Sequence, residues 1–284
     1  MPRIAITLGD PAGIGPEIID AAMRSGQLPS GFEFTILGDR GTAIPGKPDH
    51  HSASAALAAL DQAVELLKSG DADAVVTGPV SKEGLQSVGF DFPGQTEYFA
   101  SAFGITDFGM MLTGPHLTVG LATIHEAIHD VPRLLTKQRI VRISKLSAAF
   151  LKRRGIASPR IAIAGLNPHA SEAGAFGNEE QTIISPAIAE LRESGEAEFS
   201  GPGVPDAIFR DAAQGHYDAV IAMYHDQGLI PLKLLDFESA VNVTLGLPKP
   251  RTSPDHGTAF AIAGKGIADP SSMIAAIRLA CEVA

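Results

Sequence analysis

Three histidines each follow a short apolar run that has the length of a buried strand. His125 closes "ATIH", His169 lies in "NPHA" after the run 160–166, and His225 lies in "AMYHD". Three neutral imidazoles with an open fourth position make a site for Zn²⁺ or a similar divalent ion. Their separations of 44 and 56 residues match no short ligand motif. The spacing therefore leaves two interpretations open: a joint metal site, or three histidines that each satisfy a local hydrogen bond.

A second group of chemically active residues is cationic. Lys233, Lys249 and Arg251 lie close together along the chain, with Asn242 between them. An arginine can clamp a phosphate or carboxylate with its planar fork, and a lysine adds a point charge. In a chain of net charge −10 this cluster indicates a local anion site, although solvated surface lysines are the plainer alternative. The acidic balance gives no support for nucleic-acid binding, which normally needs a basic patch.

Short apolar runs and amphipathic segments alternate along the 284 residues. The alternation predicts an α/β fold with mostly parallel strands, and polar motifs at the ends of strands are where such sheets bind ligands. The segment 45–54 reads as a surface loop. Expected strands are 4–8, 34–37, 74–77, 117–123, 160–164, 219–223 and 241–245, and expected helices are 16–23, 54–67, 132–151 and 179–192.

The composition is typical of a globular protein in a reducing compartment. One cysteine, Cys281, allows no intrachain disulfide, which favours a reducing environment. The N-terminal residues lack the pattern of a signal peptide, and no apolar stretch has the length of a membrane span. We therefore expect a cytoplasmic protein without membrane or nucleic-acid partners.

The glycine-rich stretch "GDPAGIGPE" (9–17) follows the first expected strand. A strand-to-helix turn of this kind could bind phosphate on helix amides. However, Asp10 and Glu17 would repel phosphate, so we interpret the stretch as a tight turn whose glycines allow unusual dihedral angles.

Eight motifs carry resemblances to known families. The string "DHGTAFAIAGKGIADP" (255–270) resembles the adenosine-binding stretch of the isopropylmalate and isocitrate dehydrogenases. The wider set resembles, in order over nearly the whole chain, the 4-hydroxythreonine-4-phosphate dehydrogenase family of pyridoxal phosphate synthesis. The motifs that carry this second resemblance are "GDPAGIGPE", "TGPVSK", "PGQTEYF", "GLNPHASEAG", "YHDQGLIPLK", "VNVTLGLP" and "RTSPDHGTA".

The resemblance implies a two-domain α/β/α fold like that of isopropylmalate dehydrogenase, with a cleft between the domains. We expect residues 1–92 with 244–284 to form a dinucleotide-binding domain, and 93–243 to form a domain for metal, substrate and dimer contacts. Family members are homodimers with shared active sites, and the position of Asp206 is thought to reach across the interface.

The resemblance also implies site residues, which are carried over by position. One divalent ion (Zn, Mg or Co) would be held by His125, His169 and His225. Lys233 and Asp206 would be catalytic, with Lys233 handling a proton. Substrate contacts would fall on Gln95, Thr96, Lys233, Asn242 and Arg251, and NAD or NADP contacts on His256, Gly257, Thr258, Ala259 and Asp269.

Two features depart from the family pattern. Gln95 stands where the family usually has histidine, and an amide can donate a hydrogen bond but cannot carry charge. The chain is also shorter than typical members, and the loss is placed between Asp39 and Ser52.

The expected reaction is oxidation of the C3 hydroxyl of 4-phospho-hydroxy-L-threonine, followed by decarboxylation to 3-amino-2-oxopropyl phosphate. Gln95 keeps open a sister activity on 4-phospho-D-threonate or erythronate, or on a cis-dihydrodiol dicarboxylate. A metal-dependent hydrolase would need no dinucleotide, so the string 255–270 argues against it. A non-catalytic binding protein would have no use for the three histidines together with Lys233.

Overall fold

The computed structural model describes residues 1–284 and contains ten strands and ten α-helices. The strands are β1 Arg3–Thr7, β2 Glu33–Leu37, β3 Ala74–Thr77, β4 Gly109–Thr113, β5 Thr118–Leu121, β6 Arg160–Ala164, β7 Glu198–Gly203, β8 Ala219–Ala222, β9 Val241–Leu245 and β10 Arg251–Pro254. The helices are α1 Gly15–Arg24, α2 His50–Ser69, α3 Lys82–Ser87, α4 Gln95–Ala102, α5 Val131–Leu134, α6 Lys137–Arg153, α7 Ser185–Ser194, α8 Pro205–Ala213, α9 His225–Asp236 and α10 Ser271–Val283.

The chain divides into two compact units. Unit 1 comprises Met1–Thr106 and Glu238–Ala284, and unit 2 comprises Asp107–Phe237. The expected borders were 92/93 and 243/244. The residues after 92 lie in unit 1 because Phe99 of α4 is fully buried in that unit's core, together with Leu60 and Phe90.

Unit 1 contains five strands in the order β2-β1-β3-β10-β9. β1 is parallel to both β2 and β3, and β10 is parallel to β3, whereas β9 runs antiparallel to β10. β3 is buried along its whole length, as expected for a strand covered on both faces. Helix α2 packs its alanine and leucine face, including Ala56, Leu60 and Ala63, into the same core.

Unit 2 repeats the plan with the order β4-β5-β8-β6-β7. β8 is parallel to β5 and to β6, and β7 is parallel to β6, whereas β4 and β5 form an antiparallel hairpin. The central strands are buried on both faces, with Ile161, Ile163 and Ile221 fully inaccessible to solvent. The predicted α/β class with mostly parallel strands is confirmed.

Several predicted elements differ from the observed ones. The loop predicted over 45–54 is wrong in its second half, because Asp49 accepts a hydrogen bond from the backbone of Ser52 and starts α2 at His50. The helix predicted over 132–151 is two helices, since Thr136 caps the start of α6. The helix predicted over 179–192 begins as a π-helical turn, Glu180–Ile184. Strands β4, β7 and β10 were not predicted.

The turn predicted for the stretch 9–17 is confirmed. Gly9 adopts a φ of +72°, and a Cβ there would lie 2.3 Å from the carbonyl oxygen of Pro79. Only glycine fits such a close approach of two backbones. The side chain of Asp10 accepts a hydrogen bond from the backbone of Ala12 and so fixes the turn. No helix of the chain combines the length and the apolar character that crossing a membrane requires.

Candidate active site

The three histidines follow three adjacent parallel strands of unit 2. His125 comes after β5, His225 directly after β8, and His169 after β6, and the sheet order places β8 between the other two. Because β5, β8 and β6 are parallel, their carboxyl ends share one edge of the sheet. The topology thus brings all three segments to the same edge.

Two of the three imidazoles are in contact. The ring centroids of His125 and His225 lie 5.6 Å apart. Nδ1 of His225 lies 2.7 Å from Oδ1 of Asp226. The carboxylate accepts a hydrogen bond from Nδ1–H, which leaves Nε2 as the ring nitrogen with a free lone pair. A carboxylate on the far nitrogen is the usual partner of a metal-binding histidine.

His169 lies apart from this pair, in the 3-10 turn Pro168–Gly174, where its ring centroid is 6.2 Å from that of Phe176. No three metal-binding side chains of the chain are grouped as a complete centre. Residues 169–173 all have left-handed backbone angles, with φ between +43° and +69°. For residues other than glycine this conformation costs about 1–2 kcal/mol each. Two imidazoles in contact and a third on the next strand end are a donor set that suits a divalent ion such as Zn²⁺.

The anion-binding candidates converge in unit 1 around Arg251. Arg251 is 4% exposed, and Nε and Nη2 of its guanidinium donate to Oγ1 of Thr77 at 3.1 and 2.7 Å. Nη1 donates to Oγ1 of Thr244 at 3.1 Å, and Nη2 donates to Oε1 of Gln95 at 3.1 Å. No carboxylate lies within ion-pair distance, and burial lowers the pKa of Arg251 to about 10. The carboxylate of Glu97 acts on Arg251 only from beyond ion-pair distance and opposes this shift in part, while the hydrogen-bond acceptors around the guanidinium are neutral. A buried cation without an ion-pair partner is suited to an anionic ligand.

Two further substrate candidates belong to the same group. Thr96, in the first turn of α4, is buried and its Oγ1 lies 3.2 Å from Oγ1 of Thr244. Asn242 alternates with Thr244 on β9, so both side chains point to one face of the strand. The Oδ1 atom of Asn242 is buried and has no hydrogen-bond partner. The sequence did not single out Thr77 or Thr244, although they lie within the motifs "TGPVSK" and "VNVTLGLP", because a threonine hydroxyl has no chemical signature of its own.

Lys249 does not belong to this group. Its Nζ lies 3.1 Å from Oδ1 of Asp73 in a half-exposed ion pair. The cationic cluster suggested by the sequence is therefore reduced, in unit 1, to Arg251.

The proposed dinucleotide stretch follows β10 and packs on the glycine-rich turn. The backbone of Ile14 donates to the carbonyl of Thr258 at 2.9 Å, and Oε2 of Glu17 accepts from the backbones of Gly264 and Gly266. Nε2 of His256 is buried without a partner.

The other cofactor candidates lie along the same stretch. Gly257 has open space around its Cα, and Ala259 has a φ of +43°. Asp269 accepts from the backbone and hydroxyl of Ser271 at the start of α10, which lowers the pKa of its carboxyl group.

The two catalytic candidates lie on helices of unit 2. Lys233 is half-buried on α9, the helix that begins at His225, and its Nζ lies 5.8 Å from the ring centroid of Phe237. Asp206 is exposed in the first turn of α8. His129 is exposed beside Asp130, as expected for a residue outside the metal set.

Comparison with known proteins decides the family. The family model described as "Pyridoxal phosphate biosynthetic protein PdxA" matches residues 19–280. The chain belongs to this family. A 4-hydroxythreonine-4-phosphate dehydrogenase from Geobacter metallireducens is 43% identical over 325 aligned positions, which cover 100% of this chain and 96% of that relative. Since this chain has 284 residues, that relative contains segments that this member of the PdxA family lacks.

Solved structures agree with the family assignment. The 4-hydroxythreonine-4-phosphate dehydrogenase of Klebsiella pneumoniae is 37% identical, with a TM-score of 0.85 over 100% of this chain and 99% of that one. A terephthalate 1,2-cis-dihydrodiol dehydrogenase from Burkholderia xenovorans is 29% identical, with a TM-score of 0.72 over 99% and 97%. The isocitrate dehydrogenase of Methylococcus capsulatus is 18% identical, with a TM-score of 0.51 over 96% and 83%, and shares the fold alone. This PdxA-family protein is thus an oxidoreductase with the predicted fold type.

Proposed function

We propose that this PdxA-family enzyme oxidises the C3 hydroxyl of 4-phospho-hydroxy-L-threonine with NAD⁺ or NADP⁺, and that the product then loses CO₂ to give 3-amino-2-oxopropyl phosphate. The observation that carries the proposal is Arg251, a buried guanidinium without an ion-pair partner, which Glu97 compensates only from a distance. Such a group is costly unless a ligand compensates its charge. A phosphorylated substrate provides that compensation.

The residues of unit 1 would bind the phosphate. The fork of Arg251 is already oriented by Thr77 and Thr244, so little side-chain entropy remains to be lost on binding. Thr96 and Gln95 would add hydroxyl and amide donors from the first turn of α4, where the helix dipole also favours an anion. Asn242 would satisfy its buried Oδ1 by accepting a hydrogen bond from the substrate.

The histidines of unit 2 would hold one divalent ion (Zn, Mg or Co). A bound ion supplies Lewis acidity at the substrate hydroxyl, and a nicotinamide supplies a hydride acceptor. Lys233 would take the hydroxyl proton, and its other role would be to pair with the phosphate. His256, Gly257, Thr258, Ala259 and Asp269 would contact the dinucleotide. The unpartnered Nε2 of His256 supports this, whereas the carboxylate of Asp269 already accepts two hydrogen bonds from Ser271.

The same proposal includes a homodimer with shared sites. Large exposed apolar side chains gather in unit 2, including Ile230 at 65%, Leu234 at 85% and Phe237 at 72% on or just after α9. Apolar surface of this kind is typical of an interface between subunits. Asp206, exposed on α8, would then enter the partner's site. The cytoplasmic location stays a prediction.

A sister activity is the second candidate. The Burkholderia xenovorans relative is described as acting on a cis-dihydrodiol, and its fold covers nearly all of this chain. Its identity of 29% is lower than the 37% and 43% of the relatives described as 4-hydroxythreonine-4-phosphate dehydrogenases, which favours the first candidate. 4-Phospho-D-threonate and erythronate share the phosphate and remain alternative substrates.

One assay separates these activities. Purified protein with a divalent metal and NAD⁺ or NADP⁺ is supplied with each substrate class, and formation of reduced nicotinamide is followed. We expect turnover with 4-phospho-hydroxy-L-threonine and its loss on treatment with EDTA. Turnover with the cis-dihydrodiol dicarboxylate alone would replace the proposal with the second candidate, and turnover that resists EDTA would remove the metal from it.

A further inference from the structure

Three buried polar side chains fasten together the strand ends that carry the histidines. They are Thr123, Gln227 and Glu180, which are 1%, 9% and 3% exposed, and none of them has a role in the proposed chemistry. Each forms hydrogen bonds with a backbone segment a few residues before one of the histidines.

The first link joins the ends of β5 and β8. Oγ1 of Thr123 donates to the carbonyl oxygen of Met223 at 2.7 Å. Thr123 lies two residues before His125, and Met223 lies two residues before His225. This single buried bond therefore ties together the two segments whose imidazole rings are in contact.

The second link joins the ends of β8 and β6. Oε1 of Gln227 accepts from the backbone N–H of Met223 at 2.6 Å, while Nε2 donates to the carbonyl oxygen of Gly165 at 2.7 Å. Gly165 begins the segment that leads to His169. Only a side chain with one acceptor and one donor at its tip can make both bonds, since a glutamate lacks the donor and a leucine lacks both.

The third link holds the start of the left-handed turn. Oε1 of Glu180 accepts from the backbone N–H groups of Leu166 and Asn167 at 2.8 and 2.7 Å, and Oε2 accepts from Nδ2 of Asn167 at 2.9 Å. Glu180 opens the π-helical turn Glu180–Ile184, a distortion often found at functional sites. The carboxylate thereby fixes the peptide bonds just before Pro168 and His169.

We infer that Gln227 is the central positioning residue of this network, and that with Thr123 and Glu180 it sets the spacing of His125, His169 and His225 for a divalent ion. This inference rests on the proposed function, because it concerns the same three histidines. It assigns the spacing of the histidines to buried side chains of unit 2. Substitution of a residue that orients metal ligands typically weakens metal binding 10- to 100-fold.

The test measures Co²⁺ binding, by calorimetry and by the visible absorption bands of the bound ion, on the full chain. Gln227→Leu removes both bonds of the amide, and Gln227→Glu removes only the donor to Gly165. Thr123→Val removes the first link, and Thr123→Ser keeps it. Thr118→Val is the matched control. Thr118 begins β5, whereas Thr123 follows the end of that strand, and the buried hydroxyl of Thr118 lies 2.7 Å from Oγ1 of Thr113 on β4.

We expect the wild type to bind one Co²⁺ per chain. Gln227→Leu and Thr123→Val should bind it about 10- to 100-fold more weakly, with shifted absorption bands, and Gln227→Glu should fall between them and the wild type. Thr123→Ser and Thr118→Val should keep the affinity and the bands, even if Thr118→Val lowers the melting temperature as much as Thr123→Val does.

Each possible outcome decides between the two proposals. Wild-type affinity and bands in folded Gln227→Leu and Thr123→Val would overturn the inference and leave the metal site standing. Loss of Co²⁺ affinity in Thr118→Val as well would show a general stability effect and would also overturn it. If the wild type itself binds no Co²⁺, or His169→Ala binds it unchanged, the proposed metal site fails first. Should Gln227→Leu not fold, Gln227→Glu and Thr123→Val decide the result.

Discussion

The candidate anion-binding group of unit 1 and the candidate metal-binding histidines of unit 2 are built in opposite ways. In unit 1 the charged group itself, Arg251, is buried, and threonine hydroxyls hold its fork. In unit 2 the candidate ligands His125 and His169 are exposed at strand ends, while the polar groups that fix the backbone behind them are buried.

The difference follows from how the two kinds of ligand are bound. A phosphate binds to a preformed cation and needs a fixed fork, so the structure bears the cost of burying charge before the ligand arrives. A metal ion draws its own ligands into the coordination sphere and needs only that their backbones be correctly spaced. Arg251 is therefore expected to show large effects on stability, and the histidines are expected to show large effects only when metal is present.

The largest effect is expected for His169→Ala. Loss of one of the three proposed ligands should lower the rate of metal-dependent turnover roughly 10³-fold, because a catalytic ion provides several kcal/mol of transition-state stabilisation. Adding metal should not restore the activity. Melting temperature measured without metal should stay near the wild-type value, since the His169 side chain is exposed.

His129→Ala provides the matched control for this experiment. His129 is an exposed histidine in the segment after β5, and its contact is with Asp130 rather than with the other histidines. It should keep both turnover and metal affinity. Equal losses in the two variants would mean that the metal is bound elsewhere, and would remove the contrast between the two groups.

Arg251→Met should separate function from stability. Burial lowers the pKa of Arg251 to about 10, so at neutral pH the side chain is charged in both folded and unfolded states and the full cost of burial is present. That cost declines only as the pH rises from about 10 towards the unfolded value. Replacement by methionine should therefore raise the free energy of unfolding by about 1–3 kcal/mol, measured by urea titration at pH 7.

The same variant should lose affinity for a phosphorylated substrate. Arg251→Lys is the conservative comparison, since it keeps the charge but not the planar fork, and its KM should rise roughly tenfold. An unchanged KM in Arg251→Lys would move the phosphate to another part of the molecule. A lower stability in Arg251→Met would show that the guanidinium stabilises the fold, contrary to our reading of unit 1.

The sequence predicted the position of the histidines after buried strands, but it did not predict the buried side chains that hold those strand ends together. His125, His169 and His225 stand out because each follows a regular apolar strand. The bonds from Thr123 to Met223 and from Gln227 to Gly165 exist only once the strands are ordered side by side. Such contacts between distant parts of the chain leave no local pattern.

Strand β10 shows the same limit for the fold. Three of its four residues, "RTS", are polar, and yet the whole strand "RTSP" is buried. Apolar periodicity cannot detect a strand of this composition. β7, with the sequence "EFSGPG", was missed because glycine and proline are typical of turns.

Mixing two inactive variants tests whether the histidine group also depends on a second subunit. Asp206→Ala and His169→Ala should each be inactive, and subunit exchange should restore roughly a quarter of wild-type activity if Asp206 enters the partner's site. About half of the dimers would then be mixed, and each would have one intact site of two. No recovery in the first mixture, despite demonstrated exchange, would reject the shared site.

An effect no larger than that of Arg251→Lys is expected for Thr77, which supports Arg251 as Gln227 supports the histidine segments. Its hydroxyl accepts from both Nε and Nη2, and Thr77 itself is fully buried, so Thr77→Val would leave Nε without a partner and Nη2 with Gln95 alone. A hydrogen bond to a charged group contributes about 1.5 kcal/mol or more, which corresponds to a KM for the phosphorylated substrate raised roughly tenfold. Thr77→Ser keeps the hydroxyl and should bind substrate like the wild type, and Thr118→Val, a similar change in unit 2, should leave KM unaltered. If Thr77→Val also binds substrate normally, the fork of Arg251 does not depend on its buried acceptors, and the contrast between a preformed anion group and a metal-assembled histidine group would no longer hold.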